Sequence, residues 1–239
     1  MSMVTLLDGS ETAVDLPVKV RRADAVVVTW LLPLDVVAGV LAHHTVAAPL
    51  EPVPMARGRA LVTMPFVRYL DGDLGAYNEM GLGFVVRRRD DPDREVASFI
   101  AHLPVDGEFT CAAGRQLWGF PKWVASELSI ERSRGGARTH FEDADGSEVA
   151  AMSKPGLIPL PSREMRLTTY AGADGTLLAT PFTMHSAGLR VRPGGTSVRA
   201  EGDAPLAADV RALGLDTRRP LSTLWVAQLT GTFGAAHPA

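Results

Sequence analysis

One short segment of the chain holds a lysine in a setting that suits covalent catalysis. The segment GRQLWGFPKW runs from Gly114 to Trp123 and carries Lys122, one of only three lysines among 24 basic residues. A lysine amine is a nucleophile only when neutral, and removal of water favours that form because it lowers the pKa of the amine. The turn Gly119-Phe120-Pro121 offers a rigid mount. Three aromatic side chains offer apolar walls: Trp118, Phe120 and Trp123.

The alternative interpretation of Lys122 is an ordinary loop lysine. Its stem would pack against the neighbouring tryptophans while the ammonium group stays in water. In that case Lys122 titrates normally and takes no part in chemistry. The local residues leave both interpretations open.

Tyr77 and Glu79 form a second group of interest. They are separated by one residue in a strand-like run, so both side chains should lie on one face of the strand. Tyr77 either lines a pocket beside Glu79 or only packs there.

Three other groups of residues suggest chemistry only superficially. Cys111 has no His, Asp or Lys at helical spacing to activate it, so we interpret it as a packed small residue. Gly81-Leu82-Gly83 lacks the third glycine and the helix start of a nucleotide loop. The pair His43-His44 has no HExxH pattern and no cysteine neighbour. We therefore predict no metal site.

Composition limits the class of protein. The chain has 239 residues, 46% hydrophobic and 21% charged, with a net charge of −3. These values are typical of a globular protein, and the mild acidity argues against nucleic acid as a partner. The apolar stretch from Ala25 to Ala42 is interrupted by Pro33 and Asp35, which argues against a membrane span. A single cysteine and the absence of a signal-peptide pattern predict a cytoplasmic protein.

The hydrophobic pattern predicts many short strands and few helices. Helices are predicted over Asp35 to His43, Glu108 to Trp118 and Pro205 to Leu213. The predicted strands are Val18 to Arg22, Ala25 to Leu32, Leu61 to Leu70, Tyr77 to Arg88, Ala97 to Leu103, Glu127 to Arg132, Ala137 to Glu142, Glu148 to Met152, Glu164 to Tyr170, Leu177 to Met184, Gly188 to Val191, Ser197 to Glu201 and Leu224 to Phe233. This order predicts an α+β fold, mainly antiparallel β, whose curved sheet closes into a barrel or sandwich. No repeat or long linker is visible, so we expect one domain over residues 1–239.

The segment from Gly114 to Lys122 resembles the acetoacetate decarboxylase family. Its hallmark is a Gly-Arg-acidic/amide-aliphatic stretch that runs into aromatic-Pro-Lys. The segment from Gly75 to Glu79 (GAYNE) is similar to the family's Gly-x-Tyr-x-Glu, and Glu79 lies 43 positions before Lys122. Weaker similarity extends over nearly the whole chain.

The resemblance implies a cone-like antiparallel β-barrel that assembles into homo-oligomers, with no metal and no organic cofactor. The lysine of such a protein attacks the ketone of a small keto acid, and the resulting imine accepts the electrons released when carbon dioxide leaves. By this resemblance Lys122 is the Schiff-base lysine and Glu79 the acidic group beside the substrate. Arg21 or Arg22 would hold the substrate carboxylate.

Two departures from the family pattern concern the predicted site. The family's decarboxylases have a second lysine after the nucleophile, where this chain has Trp123. They also have an acidic residue on the preceding strand, where this chain has Thr63 or Met64. We therefore keep three hypotheses: a decarboxylase-like Schiff-base lyase, an imine-dependent aldolase, dehydratase or cyclase acting on a 2-keto acid, and a non-catalytic barrel that binds a carbonyl ligand. In each, the pocket residues are expected to include Tyr77, Trp118, Phe120, Trp123 and Met64.

Overall fold

The computed structural model describes residues 2–93, 95–173 and 175–239. Three α-helices lie in these ranges: α1 (Leu34–Leu41), α2 (Glu108–Trp118) and α3 (Pro205–Ala212), with a short 3-10 helix at Thr45–Ala47. The strands are, in chain order, β1 (Ser2–Thr5), β2 (Glu11–Val14), β3 (Val18–Pro33), β4 (Leu50–Pro52), β5 (Arg59–Gly72), β6 (Tyr77–Met80), β7 (Leu82–Arg88), β8 (Ala97–Val105), β9 (Lys122–Val124), β10 (Glu127–Ser133), β11 (Gly136–Glu142), β12 (Glu148–Ser153), β13 (Ile158–Leu160), β14 (Arg163–Ala173), β15 (Thr176–Ala187), β16 (Leu189–Pro193), β17 (Thr196–Glu201), β18 (Ser222–Phe233) and β19 (His237–Pro238).

Seven of these strands close into a barrel in the order β3, β5, β6, β8, β14, β15, β18 and back to β3. All neighbours in this ring are antiparallel except β8 and β14, which are parallel. The longest pair is β3 with β5, from Pro33 opposite Arg59 to Val20 opposite Gly72. The predicted α+β fold with a closed, mainly antiparallel barrel is therefore confirmed.

The two faces of the barrel wall have different partners because side chains alternate along a strand. On β5, Met64 and Phe66 point to the outer face and are buried in the main hydrophobic core. Their neighbours Thr63, Pro65 and Val67 point inward and line an internal cavity. A one-residue shift in register would exchange the two sets and move Thr63 into the main core, so the difference between the two faces of β5 specifies the register.

The main core lies between the barrel and a second sheet of four antiparallel strands, β10, β11, β12 and β17. Trp30 of β3, Phe84 of β7 and Phe141 of β11 are fully buried there. Helix α3 contributes Leu206 and packs beside the same sheet. None of the helices in the described ranges has the length and apolar character that would let it cross a membrane.

The structure differs from the predicted elements in several places. Val18 to Arg22 and Ala25 to Leu32 belong to one strand, β3, which is bulged rather than broken between them. The predicted strand Tyr77 to Arg88 is divided at Gly81, where an added Cβ would lie 2.9 Å from Cγ of Pro65. The short strands β1, β2, β4, β9, β13 and β19 were not predicted, because runs of two to four residues are too short to show a period.

Candidate functional site

Helix α2 and the turn after it bring Lys122 to the barrel. The helix ends at Gly119, whose φ of 64° lies in the left-handed region that glycine adopts without strain. The N–H groups of Gly119 and Phe120 donate to the carbonyls of Arg115 and Gly114, at 3.1 Å each. Beyond this cap the chain reverses into β9, which pairs in parallel with β8 and places Lys122 opposite Leu103. The lysine is thus fixed at both the helix end and the strand.

The stem of Lys122 passes directly over Gly114. A Cβ on Gly114 would lie 2.5 Å from Cδ and 2.8 Å from Cε of Lys122. Real Cβ atoms do not approach so closely, so a side chain at this position of α2 would have to displace the lysine stem. The glycine of the sequence motif therefore has a steric reason.

A buried cluster of polar side chains surrounds the amine. Nζ of Lys122 lies 2.8 Å from Oε2 of Glu79 and donates a hydrogen bond to Oγ1 of Thr110 at 3.1 Å. The ring of Tyr77 lies under the amine, with 5.0 Å from Nζ to the ring centroid. Lys122 is 4% exposed and Glu79 is 8% exposed. The sequence-predicted residues Lys122, Glu79 and Tyr77 thus lie together.

Glu79 is held on its other side by Tyr69, whose hydroxyl donates to Oε1 of Glu79 at 3.1 Å. The rings of Tyr69 and Tyr77 are stacked with centroids 4.3 Å apart, because β5 and β6 pair these two residues directly. Tyr69 and Thr110 were missed by the sequence analysis. Tyr69 could have been found from its position opposite Tyr77 on the neighbouring strand. That position can be assigned only once the register between β5 and β6 is known.

The pKa of Lys122 is the result of two opposed effects. Burial is the larger single influence and lowers the pKa, whereas the negative charge of Glu79, followed by Tyr77, raises it. The net result is a pKa above the ordinary lysine value. Desolvation alone therefore does not set the pKa of Lys122 in the resting protein, because a carboxylate in contact stabilises the ammonium. The raised pKa keeps the amine of Lys122 protonated in the resting protein.

Both tyrosines beside the pair are protonated at neutral pH. Burial, reinforced by the charge of Glu79, raises the pKa of Tyr69 well above its ordinary value. Burial also raises the pKa of Tyr77 to about 12, against the opposing effect of Lys122. Each hydroxyl can therefore donate a hydrogen bond to a carboxylate or to a bound oxygen atom.

The pair opens onto a cavity of about 690 Å³ inside the barrel. Trp118 and Phe120 line this cavity, as the sequence predicts, and their rings lie 5.4 Å apart. The indole N–H of Trp118 donates to the carbonyl of Gly234 at 2.8 Å, which fixes the ring. Lys19 and Arg163 also line the cavity, and both are exposed, so they lie at its edge with solvent.

Arg21 and Arg22 do not line the cavity. Arg21 is exposed and forms ion pairs with Asp71 and Asp73 on the outside of the barrel, and Arg22 is exposed as well. The bulge in β3 puts both arginines on the outer face, since the register shifts between Val20 and Ala23. The structure thus contradicts the predicted contact of either arginine with a substrate carboxylate.

Met64 and Trp123 also lie outside the cavity lining. Met64 is fully buried in the main core, and its neighbour Thr63 faces the cavity instead. Trp123 follows Lys122 on β9, so its side chain points to the opposite face and packs edge-on against His102 and Phe141. The predictions that Met64 and Trp123 line the pocket are therefore wrong, because side chains alternate along a strand and both point to its other face. Trp123 does not shield the amine of Lys122 from water.

A separate cluster outside the cavity contains side chains that metals prefer. Nε2 of His44 and Nε2 of His102 lie 3.0 Å and 2.8 Å from the same oxygen, Oδ2 of Asp209. The three potential ligand atoms lie within 4.8 Å of one another, and two histidines with a carboxylate suit zinc. Here each distance is that of a hydrogen bond. The cluster joins α3 to β8 and to the segment after α1.

The fold and the site together define a class of protein. It is a closed β-barrel with a buried lysine–carboxylate pair at one part of an internal apolar cavity. The chain matches the sequence model of the family described as Acetoacetate decarboxylase (ADC) over residues 9–154. Because that match spans more than half of the chain, the protein belongs to the acetoacetate decarboxylase family.

Solved structures of related fold agree with this assignment. The chain is 17% identical to an acetoacetate decarboxylase from Legionella pneumophila, with a TM-score of 0.66, covering 93% of this chain and 87% of that one. It is 12% identical to the enduracididine biosynthesis enzyme MppR complexed with the condensation product of pyruvate and imidazole 4-carboxaldehyde, with a TM-score of 0.61 and coverage of 95% and 90%.

An acetoacetate decarboxylase-like enzyme from Sphingomonas wittichii RW1 is 15% identical, with a TM-score of 0.52, covering 95% of this chain and 94% of that one. The comparison with curated proteins finds no significant match. At these identities the structural likeness shows the fold.

Proposed function

We propose that the protein is a Schiff-base enzyme that acts on a keto acid, with Lys122 as the nucleophile. The observation that carries this proposal is the contact between Nζ of Lys122 and Oε2 of Glu79, 2.8 Å apart and both buried at the cavity. Burying an ion pair costs desolvation free energy that offsets most of the attraction between its charges, so stability alone is a weak reason for this pair. Perturbed ionisable groups in a cavity are typical of catalytic sites.

The contact supplies the proton transfer that the chemistry needs. Transfer of one proton from Nζ to Oε2 leaves a neutral amine and a carboxylic acid. The amine attacks the ketone carbon and forms a carbinolamine. Glu79 then returns its proton to the hydroxyl group, which leaves as water and gives the protonated imine. Glu79 is the acid and base of this exchange, and Tyr69 keeps its carboxyl oriented.

In the decarboxylase-like reaction, the carbon–carbon bond to the carboxylate breaks and its electrons move into the protonated imine. Carbon dioxide leaves, and an enamine remains on Lys122. One proton is taken up at carbon, and water then hydrolyses the imine to release the ketone and restore the amine. The apolar cavity favours the step, because it disfavours the charged carboxylate relative to neutral carbon dioxide.

A second candidate is an imine-dependent aldolase, dehydratase or cyclase on a 2-keto acid. It is favoured by Thr63, which lines the cavity where the resemblance expects an acidic residue. A hydroxyl in place of a carboxylate changes the polarity around the substrate carboxyl. The likeness of the fold to MppR, bound to a condensation product of pyruvate, supports the same candidate.

The test is reductive trapping of the imine. The protein is incubated separately with acetoacetate and with pyruvate, reduced with borohydride, and mapped by peptide mass spectrometry. We expect an adduct at Lys122 that is absent from Lys122→Ala and unchanged in Lys154→Ala, which removes an exposed lysine. Release of carbon dioxide from acetoacetate, or condensation of pyruvate with an aldehyde, then separates the two candidates.

No adduct at Lys122 with either acid, in folded protein, would contradict imine formation with these small keto acids. If longer keto acids also failed to react, a barrel that binds a carbonyl ligand without catalysis would explain the site better. In that case Lys122→Met would leave the affinity for the ligand nearly unchanged.

A further inference from the structure

We propose that the substrate of the Lys122 site carries a large apolar group, so that its class is keto acids with a long alkyl or aromatic substituent on the ketone carbon. The inference rests on the proposed imine chemistry and specifies what that chemistry acts on. It follows from the size of the cavity, from the composition of its wall and from the place of its polar groups.

The cavity is much larger than a small keto acid. Its volume of about 690 Å³ falls in the middle of the range of roughly 300–1,000 Å³ for pockets that enclose drug-sized ligands. Acetoacetate or pyruvate at Lys122 would leave most of this space unfilled. A substrate that fits the cavity therefore extends far beyond its reacting carbonyl.

The wall that such a substrate would meet is largely apolar. Strands from all sides of the barrel contribute to it, including Val27, Leu167, Phe182, Met184, Leu224 and Phe233. Walls of this kind offer few hydrogen bonds to water. An apolar substituent in contact with them gains binding free energy with each methylene group removed from water.

The ionic groups of the cavity are separated into two sets. Lys122 and Glu79 form one buried set, joined by contacts of 2.8–3.1 Å with Thr110 and Tyr69. Lys19 and Arg163 form the other set and are exposed. The other polar side chains of the lining carry hydroxyl groups, such as those of Thr63 and Ser186. A ligand with one polar, reactive end and an apolar body matches this distribution.

The test is a chain-length series of 3-keto acids. Rate constants for borohydride-trapped adducts at Lys122 are measured with acetoacetate, 3-oxohexanoate, 3-oxooctanoate and 3-oxodecanoate. We expect the trapping efficiency to rise with length, by up to about fourfold for each added methylene group until the cavity is filled. Adduct formation at exposed Lys154 corrects for non-specific reaction.

A cavity-filling variant tests whether the barrel interior is responsible. Leu224 lines the cavity on β18, separated from the Glu79 strand by β3 and β5. We expect Leu224→Trp to lower trapping of 3-oxodecanoate at least tenfold and to change that of acetoacetate less than twofold. Leu224→Met, which conserves volume, is the matched control. Leu167→Phe on β14 fills the cavity from another strand if the tryptophan variant does not fold.

The outcomes separate the inference from the function on which it rests. Adducts that form equally well at every chain length would overturn the apolar substrate class and leave imine chemistry intact. An unchanged length dependence in folded Leu224→Trp and Leu167→Phe would overturn it too. Failure of every acid in the series to react at Lys122 would overturn the proposed function itself.

Discussion

Gly114 lies against the stem of Lys122, closely enough that a Cβ on Gly114 would be 2.5 Å from Cδ of the lysine. The contact joins the helix that precedes the turn to the side chain that follows it. It fixes the path of the lysine stem between α2 and the cavity, and so fixes where the amine meets Glu79. The glycine of the motif therefore acts through the position of Nζ, eight residues later in the chain.

We expect Gly114→Ala to abolish or greatly reduce imine formation, by at least about tenfold, because the added methyl displaces Lys122 from Glu79. The measurement is the rate of borohydride trapping at Lys122. Gly39→Ala is the matched control, since Gly39 lies in α1 with open space around its Cβ position. A trapping rate in Gly114→Ala equal to that of the control would show that the stem can be relocated without loss.

The charge of Glu79 sets the protonation state of Lys122, so Glu79→Gln should lower the pKa of the lysine. With the carboxylate gone, burial becomes the main influence, and burial lowers the pKa. We expect the pH profile of amine modification at Lys122 to move to lower pH. Imine formation should nevertheless slow, by about 100-fold, because the acid that expels water is lost.

The conservative variant Glu79→Asp keeps the charge and serves as the comparison for Glu79→Gln. It should leave the pKa of Lys122 raised, although the shorter side chain weakens contact. A pH profile of Lys122 that does not move in Glu79→Gln would mean that the pair does not govern the lysine.

Ionised Asp209 should stabilise the folded protein at neutral pH, and this stabilisation should be lost in acid. Burial is the largest single influence on the pKa of Asp209 and raises it, but the hydrogen bonds from His102 and His44 together outweigh burial and lower the pKa from 3.8 to about 2. Because the folded pKa is depressed, the stabilisation is complete above pH 3.8 and is lost as the pH falls toward 2. We expect Asp209→Asn to lower the free energy of unfolding by about 2 kcal/mol at pH 7. The difference from wild type should shrink near pH 3.

Denaturant titration at the two pH values measures this effect. Asp203→Asn is a suitable control, because Asp203 is exposed and its ion pair with Arg211 lies on the surface. If Asp209→Asn lowers the free energy of unfolding by the same amount at both pH values, Asp209 stabilises the fold through its shape and packing and not through its charge.

Arg21→Ala should leave imine formation with acetoacetate unchanged within about twofold. Arg21 pairs with Asp71 and Asp73 on the outer face and does not line the cavity. The measurement is the concentration of acetoacetate that gives half-maximal trapping. If Arg21→Ala raises this concentration for acetoacetate, but not for an uncharged ketone such as acetone, then Arg21 does reach the substrate carboxylate.

Much of the secondary structure followed from the sequence, because local patterns determine it. Helix α2 begins at Glu108 and ends at Trp118, as composition and the glycine stop predict. Strands β10, β11 and β12 lie within one residue of their predicted bounds. The contact of Lys122 with Glu79 was likewise expected, although from resemblance rather than from spacing. The motif did not show that Tyr69 and Thr110 complete the cluster.

Only the tertiary structure decided which face each side chain occupies and what charge the site carries. A bulge in β3 turned Arg21 and Arg22 outward, and alternation on β9 turned Trp123 away from the amine. The sign of the pKa shift at Lys122 depends on a contact of 2.8 Å between residues 43 positions apart. Burial can be inferred from neighbouring residues, but electrostatic interaction depends on distances that only the closed barrel sets.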